Sequence, residues 1–229
     1  MRIDELVLKA RNINNLKSNF HKMGNEKIRI GIMGGTFDPI HYAHLATAEF
    51  IRETYNLDKI IFIPTGNPPH KSKLRTDKLD RYNMVLLATM NNNNFVVSDI
   101  EINRKNRTYT IDTLKELHRL YPDAKIYFIT GADTICDIET WKSFSKNFEL
   151  ATFIAANRPG VNSNDARVKI EKLRKKYGAK IRSVTVPSLD ISSTYIREHI
   201  KVGRSIKYLI PEYVETYICE KNIYINGDE

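Results

Sequence analysis

The chain has 229 residues, of which 41% are hydrophobic and 28% charged, and its 36 Lys and Arg against 27 Asp and Glu give a formal net charge of +9. This composition is ordinary for one globular domain and excludes a collagen, a mucin-like stalk and a wholly disordered chain. No apolar run reaches the ~18 residues of a membrane span, and the N-terminus lacks the apolar core of a signal peptide. Two cysteines are too few for a disulfide framework. We therefore expect a cytoplasmic protein.

The first 27 residues differ in composition from the rest of the chain. They are rich in Asn and Lys, and they carry a weak helical pattern that includes Ile3, Leu6, Val7 and Ala10. Chain termini stay poorly ordered unless something ties them down. We therefore predict an N-terminal extension at 1–27, either disordered or a loosely packed helix, ahead of a single domain at 28–229.

Short apolar runs recur from residue 28 onward and predict six strands. They are Ile28–Met33, Lys59–Ile63, Phe95–Ser98, Lys125–Thr130, Ala151–Ala155 and Ile181–Val186. Because these runs are mostly continuous rather than alternating, they are typical of strands buried on both faces, as in a parallel sheet.

Segments with helical periodicity lie between or after these runs and predict six helices. They cover 42–55, 77–90, 109–121, 165–177, 193–201 and 212–220. The alternation predicts an α/β fold, an open doubly wound (Rossmann-like) parallel sheet with helices on both faces. In such sheets ligands bind beyond the carboxyl ends of the strands, near the switch in strand order.

The strongest motif follows the first strand, where residues 31–45 read GIMGGTFDPIHYAHL. Gly34 and Gly35 allow a close backbone approach to a ligand, and the helix that follows presents free N–H groups to an anion. His41 and His44 are three residues apart at the start of that helix, so both project to the same side and can donate to phosphate oxygens. Capping or surface histidines are the alternative interpretation.

A second candidate anion site lies near the C-terminus, where residues 191–197 read ISSTYIR. Ser192, Ser193 and Thr194 can cap a helix, and the free N–H groups at its start favour an anion. Arg197 lies one turn further and offers a planar fork for phosphate. An ordinary serine cap is the alternative.

The first motif resembles the signature of the nucleotidyltransferase superfamily, with Ala43 where the family usually has Gly in His-x-Gly-His. Residues 191–197 resemble the ISSTxIR phosphate motif of the same superfamily. The resemblance implies that the two motifs hold one ATP triphosphate and that His41, His44 and Arg197 are catalytic. It also implies a set of ATP-binding residues: Gly34, Gly35, Thr36, Phe37, Gly131, Asp133, Ser192, Ser193 and Thr194.

The segments between the motifs resemble one branch of that superfamily, the bacterial nicotinate mononucleotide adenylyltransferases. These segments are PTGNPPHK at 64–71, RKNRTYTIDT at 104–113 and FITGAD at 128–133, and the similarity spans roughly 28–220. Asn106 replaces a usual Gly. The resemblance implies a set of residues that bind nicotinate mononucleotide: Lys71, Thr108, Tyr109, Thr110, Trp141 and Arg158.

The implied reaction transfers the adenylyl group of ATP to nicotinate mononucleotide, giving deamido-NAD and pyrophosphate in NAD biosynthesis. Mg²⁺ is expected to be bound mainly through the ATP phosphates, with no protein metal site. The N–H groups of the helix opened by Tyr109 and Thr110 could bind a carboxylate and so select nicotinate over nicotinamide. The resemblance also allows a homo-oligomer.

Three alternatives stay open at this point. The acceptor could be nicotinamide mononucleotide or phosphopantetheine. A basic, non-catalytic RNA-binding protein is the alternative from another class, because residues 167–182 carry a local net charge of +7 and leave only +2 for the rest of the chain. That segment holds Tyr177 as its one aromatic residue, so we favour a solvated helix face and expect neither a nucleic-acid nor a membrane partner.

Overall fold

The computed structural model describes residues 2–18, 27–68, 76–157, 164–187 and 189–225. These residues form one six-stranded parallel sheet with the strand order β3-β2-β1-β4-β5-β6. The strands are β1 Arg29–Gly35, β2 Lys59–Pro64, β3 Phe95–Val97, β4 Lys125–Gly131, β5 Thr152–Asn157 and β6 Ile181–Thr185. The predicted doubly wound fold is confirmed, and the order reverses between β1 and β4, where a ligand crevice is expected.

Helices cover both faces of the sheet. They are α1 Ile3–Ser18, α2 Tyr42–Thr54, α3 Lys78–Thr89, α4 Thr110–Leu120, α5 Ala132–Cys136, α6 Phe144–Leu150, α7 Asn164–Tyr177, α8 Ser193–Lys201 and α9 Glu212–Glu220. All six predicted helices are confirmed within one residue at each end. The sequence pattern missed α5 and α6, because five and seven residues are too few to show a helical period.

Two apolar cores lie on opposite faces of the sheet, which explains why the strands are continuous apolar runs. In β2, Ile60 and Phe62 join the core beneath α2, α3 and α9, whereas Ile61 and Ile63 join the core beneath α4, α6 and α7. Successive side chains of a strand point to opposite faces, so a strand with helices on both sides must be apolar throughout.

Helix α1 packs against the sheet edge rather than lying loose. Its residues Ile3, Leu6, Val7 and Ala10 are between 1% and 8% exposed and join the core beneath α3 and α9. The disordered alternative is therefore wrong for Ile3–Ser18. Residues 19–26 lie outside the described residues, and the division of the chain at residue 27 stays a prediction.

The basic segment forms α7 and the strand that follows it. Its cationic side chains Arg167, Lys172 and Lys175 are exposed, while Ile170 and Leu173 are buried against the sheet. The helix is thus amphipathic, with one charged, solvated face. In the parts of the chain that the structure covers, no helix has both the length and the apolar character that crossing a membrane requires.

Candidate active site

Two adjoining cavities open at the carboxyl ends of β1 and β4, at the switch in strand order. The histidine cavity, of about 400 Å³, is lined by His41 and His44 among others. The Trp141 cavity, of about 280 Å³, is lined by Trp141 and the start of α4. The two share a wall that consists of Gly34, Gly35, Thr130 and Thr134. A ligand with two parts can therefore span both cavities across the ends of the central strands.

The loop after β1 is shaped by close backbone approaches. A Cβ atom at Gly35 would lie 2.9 Å from the ring of Phe37, so only glycine leaves room for that ring. Phe37 itself has a φ of 50°, in the left-handed region that side chains rarely adopt. Its ring lines the histidine cavity and packs edge-on against His44, with the ring centres 5.1 Å apart.

The two histidines stack at the start of α2, as their spacing predicts. His41 is the N-cap residue and is 4% exposed, and the centres of the His41 and His44 rings are 3.8 Å apart. The backbone N–H of His41 donates to Nδ1 of His44 at 3.3 Å. An accepting Nδ1 leaves the proton of neutral His44 on Nε2. His44 therefore offers an Nε2–H donor, and both histidines line the cavity.

The second motif is tied directly to the first. Ser192 caps α8 by accepting from the Tyr195 N–H at 3.1 Å, as predicted. The Ser193 hydroxyl donates to the Pro39 carbonyl oxygen at 2.9 Å, although the two residues are 154 apart in sequence. Ser192 and Ser193 line the histidine cavity. The structure thus brings together the two motifs that the sequence placed at opposite ends of the domain.

Arg197 lies one turn into α8, behind this cavity wall. Its Nη1 donates to the Asp38 carbonyl oxygen at 2.7 Å and its Nη2 to Thr194 Oγ1 at 3.2 Å. Neither Arg197 nor Thr194 is among the described residues that line the histidine cavity. The Nε of Arg197 is buried and has no hydrogen-bond partner among the described residues. The guanidinium is held next to the motif loop, and its role toward phosphate stays a prediction.

Asp133 follows the end of β4 and reaches into the histidine cavity. Gly131 caps α5, and Asp133 lies in the first turn, where its Oδ1 accepts from the Thr134 N–H at 2.9 Å. A Cβ atom at Gly131 would lie 2.2 Å from that Oδ1. The glycine therefore makes room for the carboxylate, which is exposed toward the cavity.

The Trp141 cavity combines aromatic rings with a helix start. Trp141 packs edge-on against Phe128, with ring centres 6.0 Å apart and an interplanar angle of 83°. Tyr109 is the N-cap of α4 and forms no side-chain cap, and it lines the cavity together with Thr108 and Thr110. Four residues that the family resemblance assigned to nicotinate mononucleotide thus line one cavity, and their role in binding stays a prediction.

Lys142, which the sequence analysis did not single out, also lines this cavity. Its Nζ lies 4.3 Å from the centre of the Tyr109 ring and 3.7 Å from Asp112 Oδ2. Because Lys142 directly follows Trp141, a predicted binding residue, its place in the sequence could have indicated a position near the site. Lys142 places a cation beside the start of α4.

Glu101 is a second residue that the sequence analysis missed. Its side chain lines the Trp141 cavity and is 9% exposed, and its Oε1 accepts from the Thr113 hydroxyl at 2.7 Å. Burial raises the pKa of Glu101, an effect that the Thr113 hydrogen bond and the charge of Arg104 partly oppose. No local pattern marks this residue, because its surroundings come from three different segments.

Arg81 is fully buried and connects the loops at the ends of β1 and β2. It projects from α3, and its guanidinium donates at 2.7 Å to the carbonyl oxygens of both Thr36 and Thr65. Burial lowers the pKa of Arg81, and the charge of Asp38 opposes that shift. The sequence shows only a polar position in an apolar helix, so the connection could not be predicted.

The family resemblance singles out four further positions: Lys71, Ala43, Asn106 and Arg158. Lys71 and Arg158 lie outside the described residues, and their roles stay predictions. Ala43 lines the histidine cavity, where its methyl group replaces the usual glycine. Asn106 is exposed and is not among the residues with positive φ, so the backbone there does not require glycine. In the described ranges, no three His, Cys, Asp or Glu side chains are grouped so that they could hold a metal ion.

Comparisons with known proteins agree with this geometry. Residues 32–199 match the family model described as "Cytidylyltransferase-like". A probable nicotinate-nucleotide adenylyltransferase of Thermoanaerobacter sp. is 54% identical over 205 residues, which covers 89% of this chain and 97% of that protein.

Solved structures agree as well. The nicotinic acid mononucleotide adenylyltransferase of Plasmodium falciparum, complexed with NaAD, superimposes with a TM-score of 0.71 at 28% identity. The same enzyme complexed with APC gives a TM-score of 0.68 at 27% identity, and each comparison covers 88% of this chain and all of the other. The chain therefore belongs to the nicotinate-nucleotide adenylyltransferases, within the cytidylyltransferase-like family.

Proposed function

We propose that this protein transfers the adenylyl group of ATP to nicotinate mononucleotide, forming nicotinate adenine dinucleotide and pyrophosphate in NAD biosynthesis. The observation that carries the proposal is the pair of adjoining cavities, which share the wall of Gly34, Gly35, Thr130 and Thr134. One cavity holds the two stacked histidines, and the other holds Trp141 and the start of α4. A dinucleotide product needs such a divided site.

We assign ATP to the histidine cavity. The glycines after β1 allow a close approach of the phosphates, and the starts of α2 and α8, with His44, Ser192 and Ser193, lie at the cavity wall. The Asp133 carboxylate, just past the end of β4, is an acceptor for ribose hydroxyl groups, which acidic residues also bind in other nucleotide-binding α/β sheets. Phosphates and ribose are thus both matched by groups that line this cavity.

We assign nicotinate mononucleotide to the Trp141 cavity. The indole ring of Trp141 offers a flat apolar face for the pyridine ring. The start of α4 and the Lys142 ammonium group supply positive charge for the nicotinate carboxylate. Lys71 and Arg158 are proposed partners of its phosphate, as the family resemblance implies.

The reaction needs positioning and charge neutralisation rather than an enzyme nucleophile. An oxygen of the mononucleotide phosphate attacks the α-phosphorus of ATP, and the bond from that phosphorus to the α,β-bridging oxygen breaks as pyrophosphate leaves. His44 donates its Nε2–H to the oxygens at the reacting phosphorus, and His41 supports its ring by stacking. Arg197 and the start of α8 stabilise the negative charge of the departing pyrophosphate.

Mg²⁺ is proposed to enter with ATP. Mg²⁺ keeps several of its waters and is usually bound through substrate phosphates with one or two carboxylates, so it does not need a cage of protein ligands. Asp133, the one carboxylate among the described residues that line the histidine cavity, is assigned to the ribose, so the ion would rely on the phosphates and on water. When bound, the ion would neutralise charge on the triphosphate oxygens.

The first experiment incubates the purified protein with ATP, Mg²⁺ and nicotinate mononucleotide and measures the dinucleotide and pyrophosphate formed. We expect His44→Ala to lower kcat by about 10²–10³-fold, because it removes a donor aimed at the charge that develops at the transition state. His118→Gln is the matched control, since that ring bonds the Leu150 carbonyl oxygen away from both cavities. A His44→Ala enzyme that keeps activity within about threefold of wild type would contradict the assignment.

The acceptor is tested separately by offering nicotinamide mononucleotide and phosphopantetheine in place of nicotinate mononucleotide. We expect the highest kcat/KM with nicotinate mononucleotide, because the start of α4 and Lys142 favour a carboxylate at the ring. A preference for either other acceptor would overturn the proposed substrate while leaving adenylyl transfer intact.

A further inference from the structure

The segment after α9 returns to the loop between β1 and α2, which carries the first motif. There the Tyr224 hydroxyl donates to Oδ1 of Asp38 at 2.6 Å, although the two residues are 186 apart in sequence. Asp38 is 7% exposed and lies in the loop between β1 and α2. A buried carboxylate must receive hydrogen bonds, and Tyr224 supplies one of them.

The backbone around Tyr224 is held in an uncommon conformation. Asn222 and Tyr224 have φ values of 52° and 69°, in the left-handed region that most side chains avoid. The side chains of Ile223 and Tyr224 pack against the core that also holds Phe37 and Ile40. Backbone of this kind persists where surrounding contacts enforce it, and it clusters at functional sites.

The loop at 36–40 is also held by hydrogen bonds to its backbone carbonyl oxygens. Those of Thr36, Asp38 and Pro39 accept from Arg81, Arg197 and Ser193 respectively, at 2.7–2.9 Å. Tyr224 differs from these donors because it holds the Asp38 side chain. Burial and the neighbouring Asp38 charge raise the pKa of Tyr224, so its hydroxyl stays protonated and remains a donor at neutral pH.

We propose that Tyr224 is a positioning residue for adenylyl transfer: its hydroxyl holds the Asp38 side chain, and through it the loop at 36–40 that delivers the two histidines of α2 to the reacting phosphate. This inference rests on the proposed function. Tyr224 is not among the described residues that line either cavity. It acts through geometry, and a displacement of about 1 Å in a catalytic group is enough to slow a reaction by about 10²-fold.

The test compares Tyr224→Phe, which removes only the hydroxyl, with Tyr213→Phe, the same change at a partly exposed position of α9. We expect Tyr224→Phe to lower kcat about 10-fold and to change KM for each substrate less than about twofold, because substrate binding groups are untouched. Tyr213→Phe should keep kcat and KM within about twofold of the wild-type values. If Tyr224→Phe retains kcat within about twofold of wild type, the inference is wrong.

A second measurement separates positioning from general destabilisation and from failure of the proposed function. Hydrogen–deuterium exchange of the peptide at 36–44 should be about 10-fold faster in Tyr224→Phe, with exchange in β4 and β5 unchanged. Uniformly faster exchange would indicate lost stability and overturn the inference. If the wild type forms no dinucleotide, the proposed function fails, and the exchange at 36–44 alone then decides whether Tyr224 holds the loop.

Discussion

At the scale of single residues, the charge of the Trp141 cavity is set by very few groups. Lys142 is the one basic side chain among the described residues that line it, and Glu101 is the one carboxyl group. Among the described residues the ion-pair partner of Lys142 is Asp112, at 3.7 Å and with both side chains about half exposed, so this ion pair is weak. The ammonium group is therefore available to a ligand carboxylate.

This arrangement predicts that Lys142 contributes to the choice of nicotinate. Nicotinate and nicotinamide mononucleotide share a phosphate and differ at the ring substituent, so their ratio isolates contacts to that substituent. We expect Lys142→Gln to lower kcat/KM for nicotinate mononucleotide about 10-fold and to leave that for nicotinamide mononucleotide within about twofold. Lys146→Gln, at an exposed position of α6, is the control. An unchanged ratio of the two values would show that Lys142 does not take part in selection.

At the scale of elements, α1 completes the sheet at its β3 edge. The Asn14 amide accepts from the Val97 N–H at 2.7 Å and donates to the Val97 carbonyl oxygen at 2.9 Å. These backbone groups face away from β2 and would otherwise lack a strand partner. One side chain thus satisfies both, and the apolar face of α1 covers the remaining edge.

We expect Asn14→Ala to lower the free energy of unfolding by about 1–3 kcal/mol, because it leaves two buried backbone groups without partners. Asn15→Ala is a closely matched control, since the neighbouring asparagine is exposed, and it should cost less than about 0.5 kcal/mol. Urea unfolding of both variants measures the difference. Equal stability of the two would mean that solvent replaces the Asn14 contacts.

The outcome for α1 also shows why its packing was beyond the sequence. Its apolar positions Ile3, Leu6 and Val7 predict a helix face, but the face pairs with α3 and α9, which lie far along the chain. Leu16 fits the same pattern and is 80% exposed. Periodicity therefore indicates which residues share a face and leaves open whether anything covers that face.

At the scale of the whole molecule, the burial of tyrosines makes the free energy of unfolding depend on pH in the alkaline range. Burial, with a contribution from the Asp99 charge, raises the pKa of Tyr82 to about 12. In the unfolded chain a tyrosine ionises near pH ~10. The folded protein thus keeps the Tyr82 proton where the unfolded chain releases it, so this group's stabilisation is complete below pH ~10 and is lost as pH rises toward ~12.

We therefore expect the unfolding midpoint in urea to fall with pH between about 10 and 12, and to fall less steeply in Tyr82→Phe, which has no phenol to ionise. Tyr208→Phe provides the control, because Tyr208 is 82% exposed and its phenol loses little contact with water on folding. Parallel profiles for wild type and Tyr82→Phe would show that Tyr82 does not contribute to this pH dependence.

The sequence by itself determined the parts of this protein that depend on local order: six apolar strands, six helices and two motifs at helix starts, each visible in adjacent residues. It also indicated the family, through GGTFDPIHYAH and ISSTYIR. Only the tertiary structure decided which groups hold those motifs in place. Arg81 reaches a loop 45 residues away and Tyr224 one 186 residues away. Such contacts depend on how helices and strands pack, and no local pattern encodes the partner of a buried polar side chain.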